Sequence, residues 1–375
     1  MNEFKVMNLS EKDIELELEK IGFDSSYKKI ASEKFEYKNI KIFDLTPAQV
    51  NILKQTALSV GADCASHRDV ITSSIEKSNA ILGGSYSQIR KIAEKLKSQP
   101  FSLSTLSEYL LSEIEQTKSK TKLVGILNVT PDSFSDGGKY YESKFAIDHA
   151  YKMAEEGADI IDIGAETTKP FSEGVCAAEQ IRRLKPVLIG LKDINLPISV
   201  DTRSSEVADF ALSNGAKTIN DVSGFDYDSR MADIIAKYNA KVIIQHSKGT
   251  PENMQINPAY NDVVEEVFLS LLNKINYAKS KGVGENNIIA DVGIGFGKTK
   301  EDNYKLLKRM EDFKSLNVPL MVGLSRKSLL CVTESDNDLK DALSIAVSYP
   351  LMKKGVDYLR VHNVKLHKQL LSLAI

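Results

Sequence analysis

The chain has 375 residues, 42% hydrophobic and 27% charged, with a formal net charge of −2. This is the balance of a globular protein in water. It offers no basic surface for nucleic acid or an anionic membrane, and no apolar run nears the roughly 20 residues of a membrane-spanning helix. Three scattered cysteines (Cys64, Cys176, Cys331) and an acidic start without a signal-type apolar core predict a reducing, cytoplasmic setting rather than a disulfide framework.

The first 118 residues predict a small α/β domain. Residues 39–43 predict a strand. Thr46 and Pro47 then supply an N-cap and a first helical position, and Val50, Leu53, Ala57 and Leu58 follow at helical spacing. Residues 79–82 predict a second strand, and Gly83 with Gly84 a turn. Ser85 and Gln88 predict a capping box ahead of the apolar face Ile89, Ile92, Ala93 and Leu96. Cys64 and His67 lie three apart, too few ligands for a metal site. The charged stretch 113–122 (EIEQTKSKTK) predicts the linker, which divides the chain into an accessory domain, 1–118, and a larger domain, 119–375.

From residue 123 onward eight short apolar runs follow: 123–127, 160–163, 198–200, 218–219, 242–244, 288–290, 320–322 and 358–361. Amphipathic stretches at 145–156, 179–191, 205–213, 263–281, 303–313 and 339–354 separate most of them. Alternating strand and helix predicts a parallel sheet, and eight repeats over about 250 residues predict a TIM (β/α)8 barrel. A doubly wound open sheet is the competing architecture.

What ends each strand is more informative than the strands themselves. In order these residues are Asn128, Asp162 with Glu166, Asp201, Asn220 with Asp221, Gln245 with His246, Asp291, the Ser325-Arg326-Lys327 run, and Arg360 with His362. Any one of them alone reads as a cap or a strand-end hydrogen bond. In a barrel all eight carboxyl ends meet at one mouth, and a full ring of such groups predicts a binding cavity. Asp201, Asn220 and Asp291 lack a basic neighbour in sequence and suit a flat heterocycle with amide-like edges. Arg360, His362, Lys327 and Lys169 are cationic or potentially so and suit phosphate. Asn128 offers an oxygen to a hard cation such as Mg2+. Heterocycle, diphosphate and Mg2+ together predict displacement of pyrophosphate. Residues 293–299 (GIGFGKT) miss both the P-loop and the dinucleotide patterns. Their glycines, Gly295 among them, predict close backbone approach to a ligand, with Phe296 against its face.

Residues 126–138 (ILNVTPDSFSDGG) and 157–170 (GADIIDIGAETTKP) resemble the two signature segments of the dihydropteroate synthases. Residues 199–224, 291–307 (DVGIGFGKTKEDNYKLL), 322–328 (VGLSRKS) and 360–364 (RVHNV) support the resemblance in the family's order. It implies the (β/α)8 fold. It also implies condensation of 6-hydroxymethyl-7,8-dihydropterin diphosphate with 4-aminobenzoate, with Mg2+, to 7,8-dihydropteroate and pyrophosphate. On that resemblance Asp201, Asn220, Asp291 and Lys327 bind pterin, and Asn128 is the metal ligand. Thr168, Arg360 and His362, with Val361 between them, meet the diphosphate. Phe134, Pro170 and Phe296 sandwich the aminobenzoate ring, and Ser325 or Ser328 meets its carboxylate. Asp201, Lys327, Arg360 and His362 carry the catalytic roles, and a homodimer is implied. Departures from the family's usual pattern stand at Lys169, Phe171, Val292, Ser247, Lys248 and Asn363; they imply altered affinity for sulfonamide analogues of aminobenzoate. Competing readings are a methyltransferase moving a methyl group from a methylated folate to a corrinoid, and a silent pterin-binding paralogue.

Overall fold

A computed structural model describes residues 14–115, 120–129, 139–166, 174–249, 258–330 and 336–373, with Lys5, Met7 and Leu9. The chain forms two compact units, Met1–Thr117 and Lys118–Ile375.

The first unit contains α1 (Ile14–Lys20), α2 (Lys28–Ser32), β1 (Tyr37–Leu45), α3 (Pro47–Leu58), β2 (Asp63–Ser66), β3 (Ser78–Ser85), α4 (Tyr86–Leu96) and α5 (Leu103–Glu115). Its three strands form an antiparallel sheet in the order β1-β3-β2. Both expected helix starts are reciprocal capping boxes, Thr46 with Gln49 and Ser85 with Gln88. Leu53, Leu82, Ile89, Ile92, Leu96, Leu103 and Leu110 fill the core. Gly83 and Gly84 do not turn the chain, as composition suggests. They lie inside β3 and pair with Asn39 and Lys38. A β-carbon at Gly83 would sit 2.6 Å from the Tyr37 hydroxyl, so the bare backbone there leaves room for the Tyr37 side chain to lie across the strand. At four residues β2 is too short for its alternation to stand out in the sequence. The stretch expected as linker is structured at both edges: Glu115 ends α5 and Lys122 opens the next strand.

The second unit runs β4 (Lys122–Asn128), α6 (Lys139–Glu155), β5 (Ile160–Gly164), α7 (Ala177–Gly190), β6 (Ile198–Asp201), α8 (Ser205–Ser213), β7 (Thr218–Asp221), α9 (Met231–Tyr238), β8 (Lys241–Gln245), α10 (Val263–Ser280), β9 (Ile288–Asp291), α11 (Lys300–Lys308), β10 (Leu320–Val322), α12 (Asn337–Lys353), β11 (Tyr358–Val361) and α13 (Val364–Leu373). The strands are parallel and close into a barrel, β10-β11-β4-β5-β6-β7-β8-β9. Closure rests on β11 pairing with β4, Tyr358 opposite Lys122 through Val361 opposite Gly125, so the fold is a (β/α)8 barrel and not an open sheet. Helices α9 and α13 were not foreseen; α9 is only two turns long, too short for its period to declare itself. The expected helix 303–313 is split into α11 and a tighter turn, Met310–Leu316.

Strand alternation decides where each side chain goes. Leu123, Ile161, Ile163, Val200, Ile219, Val242, Ile244, Leu320, Leu359 and Val361 face outward and join the helices in one large apolar layer. Val124, Ile160, Ile243, Ile289, Met321 and Tyr358 face inward and plug the barrel with a separate small cluster. Two residues onward from Ile160, Ile243, Ile289 and Tyr358 come Asp162, Gln245, Asp291 and Arg360. The barrel interior is therefore apolar at its floor and polar at its carboxyl mouth.

Candidate active site

The polar layer divides into two halves. In the first, side chains stand on the strands themselves. Arg360 of β11 donates through Nε to Asp162 Oδ2 and through Nη2 to Asp201 Oδ2, both at 2.7 Å. Asn220 of β7 donates to the same Asp162 oxygen at 3.0 Å. Four strands thus meet at one guanidinium, joining residues up to 198 positions apart. Among the described residues, Asp162 Oδ1, Asn220 Oδ1 and Ser199 Oγ are buried without a hydrogen-bond partner. Each such atom costs about 1–3 kcal/mol unless a ligand or water supplies a partner. Burial pushes the Asp201 carboxyl up to about 7. Arg360 opposes that shift, while Asp162, Glu166 and Asp221 add to it. Asn128 stands exposed at the end of β4. A β-carbon placed on Gly164 would lie 3.5 Å from Asn128 Oδ1 and 4.0 Å from Asp201 Oδ2, so these two oxygens flank the same glycine.

Asp201 therefore has a basic partner after all, supplied by β11. Arg360, assigned to phosphate from the sequence, is held by Asp201, assigned to the heterocycle, and by Asp162, because its long side chain reaches from β11 past β4 to β5 and β6 inside the closed barrel.

In the second half, loops carry every group but Asp291, which ends β9. Asp291 Oδ1 accepts Gly293 N–H at 2.7 Å. The Lys327 ammonium donates to the Ile294 carbonyl and lies 4.5 Å from the centre of the Phe296 ring. Burial lowers the Lys327 amine to about 8, Asp291 opposing and Arg360 assisting. Gly295 faces the Lys327 side chain, 3.4 Å from where a β-carbon would stand. Arg326 adopts a left-handed φ of 58° and grips Asp341 with a two-pronged ion pair, 2.7 and 2.8 Å. Asn363 donates to the same carboxylate at 3.0 Å. Asp341 on α12 thereby ties the loop bearing Ser325 and Lys327 to the short loop bearing His362 and Asn363. Ser325 Oγ accepts the His362 main-chain N–H at 3.2 Å and lies 3.1 Å from His362 Nδ1. Burial, then Arg326 and Arg360, depress His362 to about 3. The imidazole is therefore held neutral near pH 7, which settles as a neutral donor or acceptor the group whose charge the sequence left open. The Val361 side chain packs in the outer apolar layer, leaving only its main chain toward the rim.

Phe134, Thr168, Lys169 and Pro170 lie outside the described residues, as does the side chain of Ser328. Three features escaped the sequence reading. Glu166 accepts from Arg203 at 3.0 Å and from Val175 N–H at 3.1 Å, while Arg203 stacks on Tyr227 with 4.4 Å to the ring centre. Asp341 is the clamp just described. Lys298, read only as a mismatch to nucleotide motifs, is almost wholly buried beside His246. No periodicity or motif marks any of these contacts. Among the described residues no group of three or more His, Cys, Asp or Glu side chains could hold a metal, and no helix is long and apolar enough to cross a membrane.

Residues 124–362 match the pterin-binding enzyme family. A Helicobacter pylori protein named bifunctional dihydropteroate synthase/dihydropteroate reductase is 33% identical and aligns over 95% of this chain and 93% of its own length. Two haloarchaeal proteins, from Haloferax volcanii and Halobacterium salinarum, are 33% and 36% identical over 84% of this chain. Both are named probable bifunctional folylpolyglutamate synthase/dihydropteroate synthase, and the chain spans 40% of their length. Among solved structures, the dihydropteroate synthase of Xanthomonas albilineans in complex with 7,8-dihydropteroate superimposes with a TM-score of 0.61 at 35% identity, over 69% of this chain and 94% of that one.

Proposed function

Since the chain belongs to the pterin-binding enzyme family, we propose that it is a dihydropteroate synthase, condensing 6-hydroxymethyl-7,8-dihydropterin diphosphate with 4-aminobenzoate. One observation carries this reading: a buried layer of acids and amides, Asp162, Asp201, Asn220 and Asp291, crossed by one arginine and retaining unfilled acceptors. A flat ring rich in N–H donors answers those acceptors. The ionised Asp201 accepts from the pterin edge and places negative charge beside the exocyclic carbon as its bond to oxygen breaks. Arg360 spends its Nε and Nη2 donors on Asp162 and Asp201, which leaves Nη1 for a diphosphate oxygen. With Nδ1 turned to Ser325, neutral His362 presents Nε2–H to the same group. Lys327 lies between the pterin and the ring of Phe296, with 4-aminobenzoate on the outer side and its carboxylate near Ser325 and Ser328. Phe134, Thr168, Lys169 and Pro170 complete the second-substrate and diphosphate contacts. The arylamine attacks in its neutral form and needs no strong base.

Asn128 is the residue that would hold Mg2+. A single amide oxygen fits an ion that takes its remaining ligands from phosphate and water. When bound, the ion neutralises charge on the leaving diphosphate. A cytoplasmic homodimer, with residues 1–118 as an accessory domain, belongs to the same proposal.

Pyrophosphate release from the pterin diphosphate, measured with and without 4-aminobenzoate, tests the reading. Release coupled to aminobenzoate and to formation of 7,8-dihydropteroate is expected. Methyl transfer from a methylated folate, or binding without release, would overturn it. The relative that aligns over both units is named for a reductase as well. This second activity is assayed by supplying 7,8-dihydropteroate with a reduced nicotinamide or flavin as two-electron donor and following tetrahydropteroate.

A further inference from the structure

Lys298 is 2% exposed and makes no ion pair among the described residues. Its ammonium lies 2.9 Å from His246 Nδ1, 2.9 Å from the Gly293 carbonyl, 2.9 Å from the Phe296 carbonyl and 3.3 Å from the His246 carbonyl. Carbonyls only accept, so three ammonium hydrogens meet a ring of acceptors. His246 is a matching acceptor: burial, then Lys298 itself, push its imidazole down to about 2, so the ring is neutral, and in the tautomer with its hydrogen on Nε2 it offers Nδ1 to the ammonium. Burial also lowers the Lys298 pKa well below that of a free lysine, against the pull of Asp291. A buried ammonium is retained only where its hydrogen bonds are complete.

The lysine stitches two loops that touch backbone to backbone. Gly293 and Gly297 hold left-handed φ values of 66° and 62°. A β-carbon at Gly293 would fall 1.9 Å from the His246 carbonyl oxygen, and one at Gly297 would fall 2.1 Å from that of Lys248. Between these two glycines stand the Ile294 carbonyl and the Phe296 ring, the two groups that contact Lys327.

We propose that Lys298 is a positioning residue for the second substrate. From beneath the mouth it holds loop 293–297, and so fixes Phe296 and the Lys327 amine where the arylamine ring must lie. The part of the pterin end built on β5, β6, β7 and β11 makes no hydrogen bond to it among the described residues; Asp291 of β9 borders the same loop through Gly293 N–H. This inference rests on the proposed synthase reading, and its test separates the two.

The variant is Lys298→Met, which keeps the length and apolar stem and removes every donor. In a full-length enzyme whose thermal midpoint shows it folded, KM for 4-aminobenzoate should rise at least tenfold. Pterin diphosphate binding, titrated alone, should weaken by a clearly smaller factor, because Asp201 and Asn220 are untouched and only Asp291 and Lys327 of the pterin set border the loop, and the profile should match that of Phe296→Ala. The milder His246→Leu, which removes one acceptor of the ring, should shift the same constants in the same direction by a smaller factor. A reading independent of turnover is the rate at which an amine-acylating reagent labels Lys327, followed by mass spectrometry; it should rise several-fold in Lys298→Met. If wild type makes no dihydropteroate while Lys327 labelling still rises, the synthase reading falls and the loop role stands. Unchanged labelling with unchanged KM, or equal losses for both substrates in both variants, would overturn the proposal.

Discussion

The two halves of the mouth are built differently. Around Arg360 every group stands on a strand, and the geometry follows from pleat and register: Asp162, Asp201 and Asn220 alternate inward on neighbouring strands and need only one long cation to join them. Around Lys327 the groups stand on loops, and their positions follow from glycines at left-handed φ, a buried lysine and the Asp341 clamp. A strand-borne site is as rigid as the barrel. A loop-borne site is as rigid as the contacts beneath it.

Perturbations should therefore differ in kind between the halves. The largest effect is expected from Asp201→Ala, which removes the charge facing the pterin: turnover should fall at least about a thousandfold while the thermal midpoint stays within a few degrees, read by steady-state kinetics and calorimetry. Retained activity in this variant would remove the strand-borne half from catalysis. Gly293→Ala should instead act on stability, costing about 3 kcal/mol through its clash with the His246 carbonyl and its strained φ, seen as a lower urea midpoint. Asp341→Ala releases both Arg326 and Asn363; kcat/KM for 4-aminobenzoate should drop about tenfold, with pterin binding little affected.

A smaller effect concerns pH. Asp201 accepts pterin donors only as the carboxylate, and its pKa is raised to about 7, so pterin affinity should strengthen several-fold as pH rises from 5.5 to 8. The same raised value has the opposite consequence for the fold. A carboxyl whose native pKa exceeds its unfolded value stabilises fully below the unfolded pKa and loses that contribution as pH climbs through the native one. Unfolding midpoints measured from pH 4 to pH 8 should fall more steeply in wild type than in Asp201→Asn. The smallest change is expected from His362→Gln. Because the imidazole is neutral above about 3, this variant should alter kcat without moving the pH profile between 5.5 and 8.

The same contrast explains what could be read from the sequence. The eight short apolar runs, the helical stretches between them and the polar residue after each run pointed to the barrel, its mouth and the residues of the strand-borne half, because every strand of a parallel barrel ends at the same rim. Even there the Arg360 bridge was missed, since spacing says nothing of which side chains meet across the interior of a closed barrel. In the other half Asp291 at the end of β9 and the loop residues Phe296 and Lys327 were named, but what supports them was not. Lys298, His246 and Asp341 act through backbone carbonyls and contacts between distant elements, which leave no mark in residue order. Gly83 and Gly84 show the converse error: glycine composition suggested a turn where both residues continue the β1–β3 ladder, with the Tyr37 side chain lying over Gly83.

The seam that closes the barrel has a bearing on how the molecule is made. Thr121 Oγ1 reaches the Val356 carbonyl across 235 residues, and Lys122 opens the ladder that β4 shares with β11. During synthesis β4 must wait, one edge uncovered, until nearly the whole second unit has left the ribosome. The first unit has its own core and mostly short-range pairing, so it can already be folded by then. Truncations within β11 or α13 should thus yield not a weakened enzyme but a sheet with two sticky margins and a tendency to aggregate.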